Sequence, residues 1–161
     1  MKGPLWARLV STVFHPFLMP LYTLGTVFAV DPLLRTRPVL LVYLVVVLSI
    51  STLGAAISLF LMFRRGVIGD LEIRQRGERT RPFLVVWMYY VLALYVLSTD
   101  RGVEVPEAVL GMLRGVVLAI GVAIPVTLRF KMSMHTMGVG GAVGAALGLG
   151  LGHGLPVAVP L

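Results

Sequence analysis

From Val39 to Phe63 the chain runs without one charged side chain and then stops abruptly at Arg64-Arg65. About 20 consecutive apolar residues in a helix cross the roughly 30 Å hydrocarbon core of a bilayer, so this stretch alone is long enough to span. The rest of the chain follows suit. Apolar residues make up 58% of it and charged residues 13%, with a mean hydropathy of +0.95. Soluble domains carry about 45–50% apolar and about 25% charged residues. The class is therefore an integral membrane protein, and its charge is confined largely to short loops between apolar runs.

Apolar segments of spanning length recur along the chain, and about five can be drawn. The first runs from about Trp6 to Val30 and carries His15, Pro16 and Pro20. Prolines there remove backbone donors, which predicts a kinked or partly re-entrant segment. The second is Val39 to Phe63. The third begins at Pro82, where proline suits a first helical turn, and runs to Ser98. The fourth covers Ala108 to Leu128, interrupted by Arg114 and Pro125, and the fifth starts near His135 and is glycine-rich to Gly154. The expected architecture is all-α: one polytopic helical bundle over residues 1–161. The final stretch, Leu155 to Leu161, reads as the start of another apolar segment, as if the chain were cut short before a sixth.

Gly140, Gly144, Gly148 and Gly152 recur at four-residue spacing and share one helix face. Small residues so spaced let a second helix approach closely, and that packing role is the first expectation. The alternative is a face that clears room for a lipid chain.

The net charge of +7 points to anionic lipid head groups and topology control rather than to nucleic acid, because the basic residues are spread over short loops. With the N-terminus in the cytoplasm, Lys2, Arg8, the six arginines from Arg64 to Arg81, Arg129 and Lys131 all lie inside. Only Arg35, Arg37 and Arg101 then lie outside, beside Asp31, Asp100, Glu104 and Glu107. The positive-inside rule favours that orientation, as in the cytoplasmic (inner) membrane of a bacterium. The chain has no cysteine, which excludes disulfides, thiolate metal sites and cysteine nucleophiles. No acidic residue lies inside an apolar segment to relay ions or protons, which argues against a transporter.

Two polar clusters remain, each at the start of an apolar segment: Arg74 to Pro82 and Lys131 to His135. Under this topology both emerge on one membrane face. Arginine grips phosphate through a planar fork, and the first turn of a helix adds free N–H donors and a favourable dipole. Lys131 adds a further positive charge, Ser133 can donate a hydrogen bond to the same phosphate, and an imidazole such as His135 can protonate a phosphate-ester oxygen. His15 and Arg114 have plainer readings: a histidine bonded to a kink-freed carbonyl, and an arginine that snorkels to the outer surface without a partner.

These clusters resemble the signature of the type 2 phosphatidic acid phosphatase superfamily. Arg74, six residues, then Arg81-Pro82 is similar to its first motif, with Arg in place of Lys, and Ser133-Met134-His135 is similar to the Ser-Gly-His of its second. The resemblance implies a helical membrane bundle, metal-free chemistry without a cofactor, and a lipid phosphate or pyrophosphate as substrate. It further implies that Arg74 and Arg81 hold phosphate oxygens, that Ser133 assists, and that His135 is the acid for the leaving group. Met132 and Met134 stand where the second motif has Pro and Gly, and the third motif, which carries the nucleophilic histidine, is missing. The expected function is thus a lipid-phosphate site that is catalytically incomplete. Two alternatives stand beside it: a non-catalytic module for anionic lipid, and a Mg2+-dependent prenyltransferase-like protein prompted by Asp70-x-Glu72. Membrane lipids, anionic or phosphorylated, are the expected partners, and homo-oligomerisation stays open.

Overall fold

A computed structural model describes residues 5, 6, 13, 15, 18–69, 80–130, 132 and 134–152. Among them no strand occurs, and the helices are α1 (Met19–Val30), α2 (Pro32–Thr36), α3 (Pro38–Arg64), α4 (Thr80–Thr99), α5 (Glu107–Arg129) and α6 (Met134–Gly152), with Leu5, Trp6 and Val13 helical ahead of them. α3, α4 and α5 are each long and apolar enough to cross a membrane, and α1 and α6 contain shorter apolar stretches. The protein is a helical membrane bundle.

α3 shows why. Leu40, Leu44, Leu48, Ala55 and Leu59 form a buried stripe, while Val42, Val46, Ile50, Leu53, Ile57 and Phe60 form an equally apolar stripe on the exposed side. A helix apolar all round suits a lipid environment, not a water-facing surface. At 27 residues it is about 40 Å long at 1.5 Å per residue, enough to span with tilt.

Proline and arginine punctuate the elements. Pro32 and Pro38 each occupy the first helical position and Pro20 the second, in a first turn where the missing N–H would have had no partner within the helix in any case. Pro20 thus lies in the first turn of α1; ahead of it in the proline-bearing first segment His15 is non-helical and Leu18 lies in a turn, and most of the rest lies outside the described residues. Asp31 caps α2 by accepting from Leu33 N–H at 2.8 Å, and Arg35 of α2 folds back to donate to the Phe28 and Ala29 carbonyls at the end of α1. α3 ends in a left-handed glycine, Gly66 at φ +69°. Gly66 N–H donates to Phe63 O at 3.0 Å and Val67 N–H to Met62 O at 2.9 Å, the paired bonds of a Schellman stop.

α3, α4 and α5 run antiparallel in sequence, and α1 packs on α3, α5 and α6 while α6 packs on α1 and α5. Polar bonds within the bundle fix the register: Ser58 with Tyr89 Oη at 3.0 Å, and Trp87 Nε1 donating to Val117 O at 3.0 Å. At one end Tyr43 Oη donates to Asp100 Oδ2 at 2.8 Å and Arg37 pairs with Glu104 at 3.4 Å. Arg114 reaches the same end and pairs there with Glu107, so the snorkelling expected of it ends in an ion pair and not in bare solvent.

Candidate functional site

The opposite end of the bundle is basic. α3 and α5 finish there with Arg64, Arg65 and Arg129, all exposed, and α4 and α6 begin there. Arg81 stands exposed in the first turn of α4, ahead of the buried Pro82 and Phe83. His135 is the second residue of α6; its side chain, together with Arg74, Lys131, Ser133, Asp70, Glu72 and His153, lies outside the described residues. The chain path thus brings the helices bearing Arg81 and His135 to one end, but it does not bring them together. Among the described residues no Cα of α4 comes within 8 Å of one in α6, and α5 contacts both.

What separates α4 from α6 is a cavity of about 610 Å³, within the roughly 300–1,000 Å³ range of ligand pockets. Its walls come from four helices. α1 supplies Met19, Thr23 and Val27; α4 supplies Val86 and Tyr90; α5 contributes positions from Ala108 to Ile120 and α6 positions from Met137 to Leu149. Both latter stretches correspond to about 18 Å of helix, so the cavity is elongated along the bundle. Its lining is almost wholly apolar. The Thr23 hydroxyl is already spent on Met19 O at 2.8 Å, and Tyr90 Oη faces Thr52 Oγ1 at 3.5 Å.

The glycine face of α6 belongs to this cavity. Gly144 and Gly148 line it, and a Cβ built on Gly140, Gly144 or Gly148 would meet no atom within 4 Å. Among the described residues no atom of a neighbouring helix therefore packs against Gly140, Gly144 or Gly148, although α6 itself lies against α1 and α5; Gly152 is helical, and nothing about its surroundings is described. The tight glycine is elsewhere. At Gly54 in α3 an added Cβ would run into the Tyr89 ring, with Cζ at 2.9 Å and Cε1 nearer still.

Sequence reasoning missed the α5 wall, though a signal was present: Gly111, Gly115 and Ala119 repeat the four-residue spacing of small residues seen in α6. Facing runs of small side chains on neighbouring helices leave volume between them unless the backbones close up, and here they do not. Among the described residues no three of His, Asp or Glu gather as metal ligands do.

No family model matches the chain, and neither the curated proteins nor the solved structures provide a match. The resemblance to the type 2 phosphatidic acid phosphatases rests on the motif residues alone.

Proposed function

We propose that this protein binds phosphorylated membrane lipids, with the phosphate held at the basic end of the bundle and a hydrocarbon chain in the cavity between α1, α4, α5 and α6. The observation that carries this is the cavity itself: an elongated apolar space in a membrane bundle, whose lining begins on α6 at Met137, three residues past the start of that helix at the basic end, and extends on α5 from Ile120 to Ala108 at the other end. Hydrocarbon is the surrounding solvent at that depth, and a chain entering the cavity exchanges one apolar setting for another. Affinity and selectivity then come from the head group. Arg74, Arg81 and Lys131 supply charge to phosphate oxygens, Ser133 a hydrogen bond, and His135 a proton for a departing oxygen.

Hydrolysis needs more than an acid. A covalent route also requires a nucleophile to take the phosphoryl group, and the motif that would carry it is missing. Binding with negligible turnover is the expected behaviour of these 161 residues.

The test uses purified protein in detergent micelles with phosphatidic acid, isoprenyl pyrophosphate and phosphatidylcholine as ligands. Phosphatidic acid and isoprenyl pyrophosphate should bind in preference to the diester, and Arg81→Ala should weaken that binding by about tenfold, the loss of one charge-assisted contact. Phosphate release without Mg2+ should stay at background. Equal binding of phosphatidylcholine would reduce the basic end to a general anchor for lipid, and turnover that survives His135→Ala would remove the acid role.

A further inference from the structure

Every lining residue that α1 and α4 give to the cavity is buried, Val86 and Tyr90 of α4 among them, and so are Met112 and Ile120 of α5. The exposed lining residues all belong to α5 and α6, and all are small: Gly111, Gly115 and Ala119 on one, Gly141, Gly144 and Gly148 on the other. The cavity therefore has a closed floor and an open side, and these two rows edge the open side. A Cβ built on any of the five glycines would meet no atom within 4 Å. Glycines that pack look different in this bundle: at Gly54 and Gly121 an added Cβ would meet the Tyr89 and Trp87 rings. Glycine costs a helix about 1 kcal/mol against alanine. Exposed glycines that pack against nothing return none of that cost as close contact, and what they do provide is clear passage into the cavity.

The open side faces lipid. α5 is long and apolar enough to cross a membrane, and Leu118 and Val122, large, apolar and exposed, continue its surface beside the small-residue row. Measured from the basic end at about 1.5 Å per residue, Gly141 lies about 10 Å past Met134 and Ala119 about 15 Å short of Arg129. Both depths fall within a hydrocarbon core roughly 30 Å thick, so acyl chains meet the opening, not head groups or water.

We infer that the gap between the small-residue rows of α5 and α6 is a lateral mouth through which one acyl chain of a bilayer lipid enters the cavity, while its head group stays at the basic end. This rests on the lipid-phosphate function proposed above and adds to it the route of entry and the class of ligand. An extended run of single bonds advances about 1.2 Å per bond, as the three backbone bonds of a residue span up to about 3.6 Å. Roughly nine bonds then separate a phosphate at the basic end from the mouth, and the ligand is a long-chain lipid.

The mouth can be closed and reopened by a reagent, since a thiol introduced there is the only one in the protein. Gly115→Cys and, independently, Ala119→Cys are placed in lipid nanodiscs and capped with a bulky apolar group that attaches by a disulfide and leaves on reduction. The probe is phosphatidic acid with a photoreactive diazirine near the end of a palmitoyl chain, and labelled residues are read by peptide mass spectrometry. Uncapped protein should be labelled on the floor, at Val86, Tyr90 or Met112, and dihexanoyl phosphatidic acid should compete far less than the dipalmitoyl form. A cap attached before the probe should abolish floor labelling and leave labelling of the outer stripe of α3, at the exposed Ile50 and Ile57, unchanged. A cap attached after loading should hold the probe through exchange with unlabelled lipid, which a cap that merely filled the cavity cannot do, and reduction should release it. Floor labelling that ignores the cap in both variants overturns the inference and leaves the proposed function intact, because the acyl chain then enters another way. Escape of the probe at the uncapped rate after late capping overturns it as well. So does a disulfide between two copies of uncapped Gly115→Cys at low protein-to-lipid ratio, which gives the gap to a second copy. An unlabelled floor in uncapped protein removes the acyl chain from the cavity, so that the proposed function fails first. Equal floor labelling by a phosphatidylcholine probe removes the preference for phosphate from that function, while the lateral route stands.

Discussion

Two glycines four residues from another glycine or from none behave in opposite ways, and the difference lies in what faces them. Gly54 has no glycine partner in the sequence pattern, yet the Tyr89 ring lies against its Cα, held there by the bond from Tyr89 Oη to Ser58. A methyl group at Gly54 must displace that ring or part α3 from α4. Gly54→Ala should therefore destabilise the bundle by about 1–3 kcal/mol, the range for overpacking a filled site, read as a lowered midpoint of thermal unfolding in detergent. Gly144, in the regular stripe of α6, faces open space. Gly144→Leu should leave the midpoint unchanged or raise it, because leucine favours the helix and fills part of the cavity. The same substitution should reduce binding of long-chain phosphatidic acid more than that of inorganic phosphate. A destabilised Gly144→Leu would return the stripe to helix packing. A regular four-residue spacing announces that a face is small; it does not say whether a neighbouring backbone or a cavity occupies the space in front of it, because both make the same demand on side-chain volume. The partner of Gly54 is 35 residues away in sequence, and no local pattern reports it.

At the scale of elements, the end of the bundle away from the arginine cluster is held by bonds of unequal value. Tyr43 at the start of α3 donates to Asp100 at the end of α4, and Asp100 also accepts from Gly102 N–H at 2.9 Å, fixing the turn into α5. Arg37 and Glu104 lie 3.4 Å apart, with side chains 56% and 74% exposed, so water screens most of their attraction. Asp100→Ala should lower stability by about 1–2 kcal/mol, since two hydrogen bonds to a carboxylate are lost. Glu104→Ala should cost less than about 0.5 kcal/mol. Thermal unfolding of both variants in one detergent checks the order, and an equal effect would mean that the turn geometry around Asp100 contributes nothing. The spans themselves were legible in the sequence. Val39 to Phe63, Pro82 to Ser98 and Ala108 to Leu128 differ from α3, α4 and α5 by at most two residues at either end. Proline supplies a start that needs no N–H, arginine cannot enter the hydrocarbon cheaply, and the two together mark the borders. The short α2 was not legible, because its signal is one aspartate cap and an arginine returning to the preceding helix.

For the whole molecule the arrangement of charge gives a direction. Arg64, Arg65, Arg81 and Arg129 stand at one end, while Arg35, Arg37 and Arg101 share the other with Asp31, Asp100, Glu104 and Glu107. Basic residues concentrate on the cytoplasmic side of membrane proteins, and on that ground we propose that the arginine-rich end faces inward. The absence of cysteine makes this directly measurable, since any introduced thiol is the only one in the chain. Arg65 and Arg101 are both exposed and lie at opposite ends. In intact cells a membrane-impermeant maleimide should label Arg101→Cys and leave Arg65→Cys untouched until the membrane is permeabilised; inverted vesicles should reverse the pattern. That outcome gives the proposed phosphate site access to the inner leaflet, where anionic lipids and the cytoplasm meet it. The reverse pattern would turn the same site toward the outer leaflet and change the lipids it can draw on, without altering the cavity or the residues beside it. Labelling of both positions from one side would contradict the antiparallel passage of α3 and α4 through the bilayer, and with it the shared end on which the lipid-phosphate reading depends.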